Sequence, residues 1–190
     1  MGAAMAVVLI PIPAIDFDPT EVAVSWNVLT RLGHEVHFAT PNGKPGKADP
    51  IMLTGIGLDP WSRIPLLKHL RLIGLILRAN SDARAAYEKM IVNPAYCAPI
   101  FWDEIDVTNF DGLLLAGGHR ARGMRPFLES PILQEHVAAF FAADKPVAAI
   151  CHGVVLAARS RRADGRSVLH GRKTTALTWR QEQTASRDCQ

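Results

Sequence analysis

The sequence predicts an α/β domain built on a doubly wound, mainly parallel sheet, and three observations predict it. Short segments suited to strands recur at 6–12, 34–40, 112–116 and 146–150, most of them continuously apolar. Between them stand segments with helical periodicity and helix punctuation, and strands alternating with helices are the pattern of a parallel sheet with crossover helices. The last run breaks at Cys151-His152-Gly153 directly into a helical pattern, which places a sharp turn at the carboxyl edge of the sheet.

Ala6 to Ile12 is continuously apolar, as a strand covered on both faces requires. Asp18-Pro19-Thr20-Glu21 then opens a helix, with Asp18 as N-cap, Pro19 in the first turn and Gly33 as the stop. Val22, Trp26 and Leu29 form its buried stripe. His34 to Thr40 is the second strand, ending in the turn-rich Pro41-Asn42-Gly43-Lys44-Pro45-Gly46. A helical insertion follows over about 47–100. Within it Leu66 to Leu77 is very apolar but too short to span a bilayer, and reads as a buried or capping helix that covers the site or forms an interface. A second helix is expected near Ser81 to Met90, before Asn93-Pro94. Gly112 to Ala116 is the third strand, Ser130 to Ala143 a helix with Pro131 in its first turn, and Pro146 to Ile150 the fourth strand. Ser167 to Leu177 is expected to carry a further strand or two.

Length and composition bound the function. A chain of 190 residues, 48% apolar, fits a single domain over 1–180, with 181–190 a polar, disordered tail. A net charge of +3 is too small and dispersed to make nucleic acid or membrane the partner. Arg159 to Arg166 holds four arginines but no aromatic residue on which bases could stack, so it reads as a solvated loop. Cys97, Cys151 and Cys189 show neither metal spacing nor an even count, which suits a reducing compartment. The apolar N-terminus lacks a basic leader region and reads as a first strand, so a cytoplasmic location is expected. His34-Glu35-Val36-His37 is not a zinc motif, and no glycine-rich phosphate loop follows the first strand, so neither metal nor cofactor is expected.

The chemistry points to Cys151. A residue in a tight strand-to-helix turn between small Ala149 and Gly153 is pushed out at the sheet edge, in the manner of a nucleophile elbow. The start of the following helix favours the thiolate. The plainer reading, a buried structural cysteine, stays open on the residues alone.

Glu21, Gly117-Gly118-His119 and Cys151-His152 follow three strands in this order and spacing, and together they resemble the DJ-1/PfpI family of the class I glutamine-amidotransferase-like superfamily. The resemblance runs from about Ala6 to Thr178. It implies a flavodoxin-like fold, dimers or larger oligomers, and a small carbonyl-containing substrate. By resemblance Cys151 is the nucleophile, His152 its base and Glu21 a carboxyl bonded to the sulfur, although Glu21 also suits the N3 place of a capping box headed by Asp18. Gly118 and the His152 N–H would form the oxyanion hole, with Gly117, His119 and Arg120 as candidate substrate contacts. The acid that some relatives place after the cysteine is missing from Gly171 to Trp179, where Glu182 and Asp164 are the nearest candidates. Relatives also continue with further sheet and helix where this chain turns polar, and a shortened end would leave a sheet face uncovered. His170 is followed by Gly171 and Arg172, which excludes the His-x-Glu pair of a glutaminase. The activities implied are glyoxalase-like, deglycase or hydrolytic. The alternatives are a non-catalytic chaperone or thiol redox sensor, or an inactive truncated member.

Overall fold

A computed structural model describes residues 4–67 and 69–175. Five strands form the main sheet: β1 (Val7–Pro11), β3 (Glu35–Thr40), β5 (Ile100–Phe101), β6 (Gly112–Leu115) and β7 (Val147–Ala149). Their order is β5-β3-β1-β6-β7, and every neighbouring pair is parallel. β2 (Ile15–Phe17) and β4 (Lys47–Ala48) make a separate parallel pair beside it.

Helices cover both faces, and the strand period of two decides which residue meets which layer. Leu9, Leu113 and Leu115 point into one core with Phe127, Phe140 and Leu156, from α6 (Ala121–Glu129), α7 (Pro131–Ala142) and α8 (Gly153–Arg159). Ile10, Ile12, Leu114 and Ala116 point the other way, onto Val22 and Trp26 of α1 (Pro19–Arg31) and Met90 of α4 (Ser81–Met90). This is the doubly wound sandwich that the apolar runs predict.

The helix boundaries follow their caps. Asp18 accepts the N–H groups of Thr20 and Glu21, and Ser130 accepts that of Leu133, each ahead of a proline in the first turn. Gly33 follows α1 at φ +86°, a left-handed conformation that side chains resist. α2 (Pro50–Thr54), α3 (Ile73–Leu77) and α5 (Pro94–Cys97) complete the helices.

Two expectations are corrected. Leu66 to Leu77 is neither one helix nor buried: only Ile73–Leu77 is helical, and Leu66 is 92% exposed. The turn is pinned instead by buried Asp59, whose carboxylate accepts three successive N–H groups, from Leu72, Ile73 and Gly74. From Ser167 through Thr175 the chain makes turns and one isolated bridge, Arg161 to Ser167, with no strand; Ala176 and Leu177 lie outside the described residues, as does the tail at 181–190. A groove of about 660 Å³ lined by Phe141, Val147, Ala149, Val154 and Leu169 runs along β7, but Cys151 is not among its walls. No described helix is long and apolar enough to cross a membrane.

Candidate active site

Three loops at the carboxyl ends of β1, β6 and β7 meet where the sheet topology directs them. The β7 strand stays registered to β6 through its last hydrogen bond, Ile150 N–H to the Leu115 carbonyl at 2.9 Å. The next residue, Cys151, turns to φ +52°, and Gly153 N–H closes the turn on the Ile150 carbonyl at 2.8 Å. A non-glycine residue in this region is strained, and the strain aims the thiol outward from the sheet. Gly153 is required because a Cβ there would drive into the Leu115 carbonyl. The elbow read from the sequence is the geometry found.

The Gly117-Gly118 loop packs against it, and a Cβ on Gly117 would stand 2.6 Å from the His152 nitrogen. Asp18 and Glu21, from the start of α1, hold this loop from the other side. Asp18 N–H donates to the Gly117 carbonyl at 2.9 Å, and Gly117 N–H donates to Glu21 Oε2 at 2.6 Å. Glu21 therefore does not reach back to its own helix cap. The Asp18 half of the capping box forms, while the glutamate crosses to the glycine loop and to the Cys151 thiol. Gly117 N–H is thereby occupied by Glu21.

The electrostatics correct one expectation. The thiol is reached by solvent, yet its pKa is pushed up to about 11, first by desolvation and then by the Glu21 charge. The His152 backbone N–H opposes these effects without overcoming them, so the helix start does not make Cys151 a resting thiolate. Glu21 is also raised, chiefly by burial and then by the Asp18 carboxylate, against the Gly117 N–H, the Cys151 hydrogen bond and His119. Burial thus raises both the thiol and the carboxyl from their ordinary values.

His152 Nδ1 stands 3.4 Å from Cys151 Sγ, an ordinary distance for a hydrogen bond to sulfur. His119, on the glycine loop, lies 3.4 Å through Nδ1 from Oδ2 of buried Asp18. Asp18 thus caps α1 with one oxygen and faces a histidine with the other. Its role beside His119 was missed in the sequence, where Asp18 serves only as a cap, because the two are separated by a whole sheet crossing. Asp164 accepts Arg166 N–H at 2.9 Å within its own exposed turn, and Glu182 lies outside the described residues.

The arginines after the glycine loop are already partnered. Arg122 forms a two-pronged pair with Asp16, at 2.8 and 2.9 Å, and Arg120 stands 3.8 Å from the same carboxylate. Asp16 is buried at φ +65°, another feature without a local sequence signal. Arg125 pairs with Glu129 on the surface. Of these, Arg120 is half-exposed and the most loosely held. His34 accepts the Ala6 N–H and His37 pairs with Glu35 at 2.6 Å. Cys97, the other described free cysteine, donates to the Ile91 carbonyl on the far side of the insertion, and Cys189 lies outside the described residues.

A family model described as ThiJ/PfpI family-like matches residues 12–188. No curated protein matches the chain in sequence. Among solved structures, the Rapid Encystment Protein 24 KDa of Francisella tularensis is 14% identical with a TM-score of 0.65, covering 95% of this chain and 73% of its own. A ThiJ/PfpI domain protein from Brachyspira murdochii is 14% identical at TM-score 0.58, with 98% and 77% covered. Glyoxalase III from Candida albicans is 17% identical at TM-score 0.55, with 95% and 72% covered. At these identities the likeness is one of fold.

Proposed function

Because the chain belongs to the ThiJ/PfpI-like family, we propose that it is a cysteine-nucleophile enzyme acting on small carbonyl compounds, of the glutathione-independent glyoxalase or deglycase kind. The observation that carries this is Cys151 at a strained elbow with its sulfur shared between a raised carboxyl, Glu21, and an imidazole, His152. A structural cysteine needs neither the strain nor the carboxyl.

For a 2-oxoaldehyde the steps balance without a cofactor. The Cys151 sulfur adds to the aldehyde carbon, and the thiol proton passes through His152 to the new hydroxyl, giving a hemithioacetal. Glu21, as carboxylate, takes the proton from that carbon and, as acid, returns it to the neighbouring carbon, while the hydroxyl proton passes to the neighbouring oxygen, leaving the thioester of a 2-hydroxy acid. Water then cleaves the thioester to a 2-hydroxy acid and frees the thiol. Gly118 N–H and the His152 N–H, which faces the sulfur, hold the oxygen as charge develops. A raised Glu21 suits this exchange because acid and base forms are then closer in energy at neutral pH. His119, held by Asp18, stands on the loop beside Gly118 as a second proton carrier.

The test is methylglyoxal consumption with lactate detection in the absence of glutathione, for the wild type beside Cys151→Ser. Turnover in the wild type and none in the variant is expected. A well-folded wild type that produces no lactate from methylglyoxal, and no amine release from glycated substrates, would remove the proposal in favour of a non-catalytic protein.

A further inference from the structure

The segment from Pro60 to Ser81 contains no Asp or Glu and carries Arg63, Lys68, Arg71 and Arg78. Its apolar side chains, expected inside, are outside. Of the seventeen large apolar residues exposed among the described ones, nine lie between Ile64 and Leu77, with Leu66 at 92% and Ile76 at 82%. A soluble domain rarely leaves so much apolar surface in one continuous stretch without a partner.

Three guanidinium groups lie within and after this stretch, with Asp82 two residues before the last. Arg71 donates through Nη1 to the Thr54 carbonyl at 2.7 Å, and Arg84 donates through Nη1 to the Ala79 carbonyl. Between them in sequence, Arg78 has its Nε shielded from solvent with no hydrogen-bond partner. Desolvation, and then repulsion from Arg84 and Arg71, holds the Arg78 pKa below the usual guanidinium value. Among the described residues no carboxylate pairs with any of the three. The nearest acid on the N-terminal side, Asp59, is occupied by the N–H groups of Leu72, Ile73 and Gly74.

We propose that this insertion docks on an anionic phospholipid surface, with Leu66 and Ile76 entering the acyl boundary and Arg78, flanked by Arg71 and Arg84, taking a headgroup phosphate. The charge pattern selects this occupant. A second copy of the chain meeting the patch by a two-fold axis would bring like guanidiniums together. A membrane interface supplies hydrocarbon and negative charge side by side, as interfacial segments with basic and apolar residues use. The proposal does not rest on the thiol chemistry.

The experiment is flotation of the full chain with vesicles of phosphatidylcholine alone, or containing about one-third phosphatidylglycerol. Binding is expected on the anionic vesicles only, and it should weaken as salt is raised. Leu66→Asp and Ile76→Asp, both on exposed positions that folding does not use, should each reduce the bound-to-free ratio about tenfold. Arg78→Gln should reduce it about fivefold. Alkylation of Cys151 at the wild-type rate in these variants shows that the fold and the thiol site are intact. Absence of wild-type flotation, equal binding to both vesicles, or variants that float like the wild type would overturn the proposal. So would a patch that serves the protein itself, seen as a lower mass of Ile76→Asp in light scattering without any vesicle binding. Stabilisation by inorganic phosphate that depends on Arg78, again without flotation, would assign the arginines to a soluble anion instead.

Discussion

Replacing Glu21 with glutamine separates the two forces that hold the Cys151 thiol neutral. Burial is the larger, and the Glu21 charge is the next, in raising the thiol from an ordinary 9.0 to about 11. At pH 8 such a thiol is ionised in about one molecule in a thousand. Glutamine keeps an oxygen to accept Gly117 N–H, so the loop stays in place, but it cannot carry the charge. Because burial remains, the thiol should fall by about one unit and stay above its ordinary value, which makes alkylation at pH 8 about tenfold faster. The assay is the pH dependence of iodoacetamide labelling at Cys151, read by peptide mass, with exposed Cys97 as the internal reference. Turnover of a 2-oxoaldehyde should move the other way and fall at least about a hundredfold, since glutamine cannot relay the proton. A more reactive thiol in a slower enzyme is the signature. An unchanged or lowered labelling rate would show that Glu21 is uncoupled from the sulfur and serves α1 alone.

Stability tests the scaffold around the thiol. Asp18→Ala removes the cap of α1 and should cost about 1 kcal/mol in urea unfolding, with a further loss of activity as His119 is released. Arg122→Gln leaves buried Asp16 with Arg120 alone at 3.8 Å and should lower the urea midpoint, because a buried carboxylate then lacks its close partner. Gly117→Ala places a methyl against the His152 backbone and should abolish turnover while circular dichroism stays native. The native thiol holds its proton more tightly than the unfolded chain does. Wild-type stability should therefore decline as pH rises through 9.0 towards about 11, a decline that Cys151→Ser lacks in parallel urea titrations.

What the sequence discloses is what local chemistry decides. Asp18-Pro19 and Ser130-Pro131 mark helix starts because cap and proline act within one turn, and both helices begin there. Cys151 is legible because Ala149 and Gly153 flank it, and tight strand-to-helix turns need small neighbours. The two-residue strand at Ile100–Phe101 is too short to carry a pattern, and the helix Ala121–Glu129, although it buries Met124 and Phe127 at helical spacing, is masked in the sequence by Gly123 and Pro126. Leu66 to Leu77 is the sharpest reversal: composition says interior, while Asp59 ties the backbone so that the leucines face out. The thiol's pKa and the Asp18–His119 contact depend on loops about a hundred residues apart, and no local pattern encodes them.

The central claim is that Cys151 forms a covalent bond with a carbonyl substrate during turnover. Rapid acid quenching of the wild type during methylglyoxal turnover, followed by peptide mass mapping, tests it most directly. The account predicts a methylglyoxal-sized adduct on the Cys151 peptide that rises and decays with turnover, while equally available Cys97 stays unmodified. Lactate formed with no adduct on Cys151, or at an undiminished rate in Cys151→Ser, would contradict it.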